Sequence, residues 1–256
     1  MTRADRATVR ALTRRALNEI FRVPGAAIPG VLAPTIFFLG LTSVFGNLTQ
    51  LPGFDSDSYQ SFLVPVSLMQ GAAFTGAATG VNLARDIEQG WFDRLLASPA
   101  PRPVLLAGLV LSASFRALIP AAFLLLVAFA TGAHWPGPLG LAIALIIVMG
   151  MAIVAATWGT SLALRFRTQS AAPLMQVGML LLVLTTTAYA PLDLLQGWLQ
   201  DVARINPVTQ VVEAARQGFV GEVTWADTWP GFVALAGLAA LFTYFALRGM
   251  RRMAST

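Results

Sequence analysis

Apolar residues are gathered into long runs in this chain, and polar residues into the short stretches between them. Six runs with no charge or a single one lie at about 26–45, 62–84, 103–130, 139–164, 171–189 and 229–247. A helix needs about 20 residues to cross roughly 30 Å of hydrocarbon, so the pattern predicts six membrane-spanning helices. Ahead of them, residues 1–25 show another periodicity. Val9, Leu12, Ala16, Leu17, Ile20 and Phe21 recur near helical spacing among six arginines. That predicts a basic amphipathic helix on the membrane surface, ended by Pro24-Gly25.

The longest strongly polar run between two spans is 85–102. If 86–97 is helical, Ile87, Trp91 and Leu95 stack at spacings of four, and Phe92 and Leu96 widen the stripe. Asp86, Glu88, Gln89, Asp93 and Arg94 then fall opposite. Asp86 and Gln89 have capping-box spacing, and Ser98-Pro99-Ala100-Pro101 ends the helix. Such a helix either lies on headgroups or docks into a partner protein. Gly90 favours docking, because a mid-helix glycine costs about 1 kcal/mol against alanine and is explained by a surface coming close. The other long polar region, 190–222, holds two short helical patterns split by Asn206-Pro207. Both are too short or too charged to span, which predicts an outer-surface or re-entrant region.

Composition narrows the function. With 56% hydrophobic and 11% charged residues, the chain is an all-α polytopic membrane protein. All 17 basic residues are arginine, and without a lysine it has no conventional P-loop for ATP hydrolysis. There is no cysteine, and the single histidine, His134, sits in a turn, so no metal site is expected. With six spans both termini share one side, and fourteen of the 17 arginines fall there, the 248–256 tail included. Arginine-rich loops stay inside, so both termini are expected in the cytoplasm, and the net charge of +5 reports topology and not a nucleic-acid partner.

Within the spans, Ala72, Gly76 and Gly80 form a small-residue stripe, suited to packing inside the subunit or to a dimer seam. Arg116 interrupts the third run at an insertion cost of about 3 kcal/mol. Either it faces a partner or a wet cavity, or the helix starts near it and it marks the cytoplasmic edge, the reading favoured on sequence. Thr35, Gln70, Thr75, Gln176 and Thr185 are candidates to touch a substrate, and each is equally explicable by helix packing. No acidic residue lies within a run, which disfavours a proton-driven transporter, and no His, Asp or Ser constellation supports a membrane enzyme.

Three segments together resemble the permease subunit of an ABC-2 type exporter, most closely the daunorubicin-resistance branch. They are Arg14-Arg15…Phe21-Arg22-Val-Pro24 leading into a span with Pro34; Glu88-x-Gly90-x-x-x-Arg94-Leu95-Leu96-x-Ser98-Pro99; and Pro191…Gly197-Trp198-Leu199…Asn206-Pro207…Glu213-x-x-Arg216. Gln196 stands where relatives often have proline. The resemblance implies a homodimer, or a heterodimer with a second permease, in a bacterial plasma membrane. Two copies of a separate cytoplasmic ABC ATPase would carry ATP and magnesium, with no cofactor, metal or catalytic residue on this chain. It implies that 86–97 is a coupling helix acting through Glu88, Gly90, Trp91, Arg94 and Leu95, and that 1–25 is an interface gate. The expected function is export of an amphipathic drug, lipid or natural product. A non-transporting anchor or assembly subunit for the ATPase is the alternative.

Overall fold

The computed structural model describes residues 3–22, 28–54, 56–97 and 100–253. The predicted stops at Pro24-Gly25 and Ser98-Pro99 lie outside them. All regular structure among the described residues is helical: α1 (Arg3–Arg22), α2 (Ile28–Phe45), α3 (Tyr59–Glu88), α4 (Trp91–Leu96), α5 (Arg102–Ala130), α6 (Gly137–Phe166), α7 (Ala172–Leu184), α8 (Trp198–Ile205), α9 (Pro207–Val220) and α10 (Trp225–Met253). Five of these stretches, α2 with its following turn, α3, α5, α6 and α10, are long and apolar enough to cross a membrane.

The bundle is built around α3, which is buried along most of its length and packs on α2, α5, α6, α7 and α9. Small residues make this possible. A Cβ on Gly76 would stand 2.5 Å from the Ala152 carbonyl oxygen, and one on Gly80 2.3 Å from the Gly159 carbonyl carbon. Gly76 and Gly80 of the stripe therefore bring α3 close against α6 of the same chain. Nearer the other end, Gly71 lies 3.7 Å from both Pro34 and Pro120, measured from its would-be Cβ. The proline-bearing stretches of α2 and α5 meet α3 there.

The apolar core has two parts. One fills the end of the bundle carrying Tyr59, Phe62 and α9; the other joins Leu83, Phe92 of α4, Leu105 and Met250. Leu12 of α1 packs against the second part, so both described ends of the chain lie at the α4 end.

Three boundaries differ from the sequence reading. The third spanning helix does not begin near Arg116; it begins at Arg102, with Pro101 as N-cap and Pro103 in the first turn, where its missing N–H costs nothing. The fifth run does not continue as a helix to residue 189; α7 stops at Leu184 after 13 residues, about 20 Å and too short to cross alone. Thr185 to Ala190 continues as a turn and bends. The helix expected over 86–97 is two: α3 runs on to Glu88, and α4 starts afresh at Trp91.

Candidate functional site

At the α4 end the break is made by Gly90. Its φ of +68° is left-handed, and it stands as the N-cap of α4 with no side-chain cap. That conformation suits glycine and strains most other residues, so Gly90 marks the joint between two helices and not the middle of one; among the described residues nothing lies within 4 Å of its would-be Cβ. No Asp86–Gln89 capping box forms there, because Asp86 and Gln89 belong to the end of α3. Beyond the joint, Phe92 is fully buried and anchors α4, Trp91, Leu95 and Leu96 are half-buried, and Asp93 and Arg94 are exposed. Sequence periodicity included Phe92 in the stripe but gave no sign that it, and not Trp91, is the anchor.

Glu88 has a different role from its neighbours. Its carboxylate accepts the backbone N–H of Gln169 at 2.9 Å and the Gln169 side-chain amide at 2.7 Å. It thereby clamps the end of α3 to the turn between α6 and α7. Arg94 is the exposed cation of the α4 surface; Glu88 is the strut beneath it.

Behind α4 a cavity of about 210 Å³ opens between α1, α3 and α5. The wall from α3 is Thr79, Asn82, Leu83, Arg85 and Asp86; α5 gives Leu109, Ser112 and Arg116; Leu12 comes from α1. Arg116, 8% exposed, donates to the Thr79 hydroxyl at 2.6 Å. The structure thus corrects the cytoplasmic-edge reading: Arg116 sits midway along α5 and lines a cavity. Spacings of three and four bring 109, 112 and 116 to one face of α5, and 79, 82, 83 and 86 to one face of α3.

The opposite end is organised by Arg216 of α9, which is 2% exposed. It bonds Glu213 at 2.7 Å, the Thr187 carbonyl at 2.7 Å and the Phe62 carbonyl at 3.1 Å, and its guanidinium lies 3.7 Å from the Phe62 ring centroid. The Thr187 hydroxyl donates to Glu213. Asn206 donates to the carbonyls of Leu182 at 2.8 Å and Thr185 at 3.1 Å. Irregular backbone is tolerated at membrane depth only where protein satisfies its polar groups. Arg216 and Asn206 do this for 182–188, which is why the chain can leave the helix at Leu184.

The proposed substrate-contacting residues are not gathered on one wall of the subunit. Thr35 is buried and returns its hydroxyl to the Val31 carbonyl at 2.7 Å. The Thr75 hydroxyl lies 3.0 Å from a would-be Cβ on Gly30, at the α2–α3 contact. Gln70 donates to the Tyr189 hydroxyl at 2.8 Å, and Tyr59 to the Tyr189 carbonyl at 3.2 Å, linking α3 to the bends after α7. Thr185 bonds the Leu181 carbonyl at 2.9 Å and receives Asn206, while Gln176 is half-buried on α7.

The ABC-2 type transporter family matches residues 7–220. A daunorubicin resistance ABC transporter permease of Streptomyces coeruleorubidus is 27% identical over 240 residues, covering 91% of this chain and 82% of that protein. A Mycobacterium tuberculosis protein, named a probable doxorubicin resistance ABC transporter permease, is 27% identical over 216 residues, covering 83% and 74%.

Proposed function

Because this chain belongs to the ABC-2 type transporter family, we propose that it is the membrane-spanning subunit of an ATP-driven exporter, moving an amphipathic drug, lipid or natural product outward from the cytoplasm or inner leaflet. The α4 end faces the cytoplasm of a bacterial plasma membrane. There it meets a separate ABC ATPase, two copies serving a pair of permease subunits. The observation that carries this reading is the construction of α4: a short helix jointed at Gly90, rooted by Phe92 and presenting Asp93 and Arg94. A helix held this way transmits a push and offers charge to a partner's groove.

The chemistry belongs to the ATPase, which binds ATP and magnesium; this chain, with no lysine, supplies the moving walls. Closure of the nucleotide domains displaces α4, and α3 above it shifts the subunit between inward-open and outward-open arrangements. ATP must favour one arrangement by several kcal/mol for the switch to complete. Glu88, Gly90, Trp91, Arg94 and Leu95 act together in this, Arg94 as a direct contact and Glu88 as the strut that keeps α4 in register with the α6–α7 turn.

The test is recovery of an ATPase with the tagged chain from its own host in mild detergent, comparing wild type with Arg94→Glu. A soluble P-loop ATPase is expected with wild type, and several-fold less with the variant, whose elution position stays unchanged. No ATPase after gentle cross-linking overturns the reading. If the ATPase is retained but its hydrolysis responds to no amphiphile, the subunit is an anchor.

A further inference from the structure

The cavity between α1, α3 and α5 is more than a packing gap. Among the described residues its lining holds two arginines, Arg85 and Arg116, and one carboxylate, Asp86, so these described side chains sum to a positive formal charge. Asn82 and Ser112 add neutral hydrogen-bonding groups. At about 210 Å³ it is smaller than the roughly 300–1,000 Å³ of pockets that enclose drug-sized ligands, yet it exceeds the roughly 30 Å³ share of one water several-fold. It suits a compact headgroup with the rest of the molecule outside. A second cleft opens between the same α1 and α5. Phe115, next to Arg116 in the chain and 46% exposed, lines it with Val9 and the arginines Arg6, Arg10 and Arg14. Beyond Phe115 the exposed Ile119 and Phe123 continue the same face along α5.

We propose that this cavity seats the anionic headgroup, phosphate or carboxylate, of a membrane amphiphile whose tail lies along α5, and that Arg116 is the contact that selects for negative charge. A guanidinium in a fixed pose grips such groups through paired donors. Thr79 orients Arg116 from α3. Naming the amphiphile as cargo rests on the exporter reading; the site itself does not.

The test uses the full-length chain, with whatever subunits accompany it, in phosphatidylcholine nanodiscs. Photoactivatable probes share one alkyl tail and carry phosphate, carboxylate or trimethylammonium heads; labelled peptides are mapped after cleavage. Peptides covering 79–89 and 109–116 are expected to take up the two anionic probes about tenfold more than the cationic one. Arg116→Gln abolishes that preference; Arg116→Lys, which keeps the charge but not the paired donors, and Thr79→Val, which keeps the charge but frees the pose, each retain only part of it. Equal labelling by all heads on wild type overturns the proposal without needing any variant. So does an Arg116→Gln variant that keeps the preference, since Arg116 would then serve only to tie α5 to α3. Nanodiscs with phosphatidylglycerol separate the sources: competition assigns the site to a resident lipid, and undiminished labelling assigns it to cargo. No ATP or transport enters the measurement, so failure of export and failure of this site are distinguishable.

Discussion

Arg216 shows how a single side chain fixes the part of the bundle that regular structure leaves open. Its guanidinium serves one carboxylate and carbonyls from two other segments, so truncating it strands several polar groups in a dry place. Arg216→Met is expected to destabilise by about 2–6 kcal/mol, because it strands the Phe62 and Thr187 carbonyls at about 1–3 kcal/mol each. Thermal unfolding in detergent would read this as a large loss of melting temperature. Glu213→Gln should cost much less, because the Glu213 side chain is 41% exposed and an amide can still hydrogen-bond Thr187 and Arg216. At this scale the sequence was only half legible. Glu213 and Arg216 were visible as a spaced pair, but Phe62 lies 154 residues away from Arg216, and no local pattern announces that partner. Arg116 was misread for the same reason: hydropathy registers a charge in a run, and only the fold shows that Thr79 and a cavity face it.

Among the elements, α4 depends on a backbone conformation more than on contacts. Replacing Gly90 by alanine puts a Cβ into the left-handed region at about 1–2 kcal/mol, whereas asparagine tolerates that region. Gly90→Ala is therefore expected to loosen α4 and speed tryptic cleavage after Arg94, with Gly90→Asn close to wild type; timed proteolysis of the purified protein decides. A site of cleavage no faster in the alanine variant would mean that the joint is not strained. Where hydropathy sets the element, the apolar runs 62–84 and 139–164 fall inside α3 and α6. Boundaries were missed at Leu184 and Gly90, where a helix stops inside a sequence that remains apolar or amphipathic. Helical periodicity cannot see a stop whose cause is a hydrogen bond from Asn206, or a left-handed residue that still permits the stripe on either side.

For the whole molecule, the arrangement implies a definite sidedness. The chain has no cysteine, so single cysteines can be placed without a background. Asp93→Cys on α4 and Asp201→Cys on α8 are both exposed positions at opposite ends. A membrane-impermeant maleimide added to intact cells is expected to label the position at 201 and to reach 93 only after permeabilisation. The reverse pattern would invert the topology. A further consequence lies in where α3 is gripped. It is 30 residues long, about 45 Å, and its tightest crossing, at Gly76 and Gly80 against α6, is well off centre. Measured from that crossing, the arm toward Tyr59 is about 28 Å and the arm toward Glu88 about 15 Å. A rigid rod turning on such a fulcrum has a mechanical ratio near two. Were α3 to turn there as one body in the proposed transport cycle, a displacement of about 1 Å where α4 is attached would become about 2 Å where Tyr59 and Phe62 meet the Arg216 cluster, and the placement of two glycines would set the gearing between the two ends of the bundle.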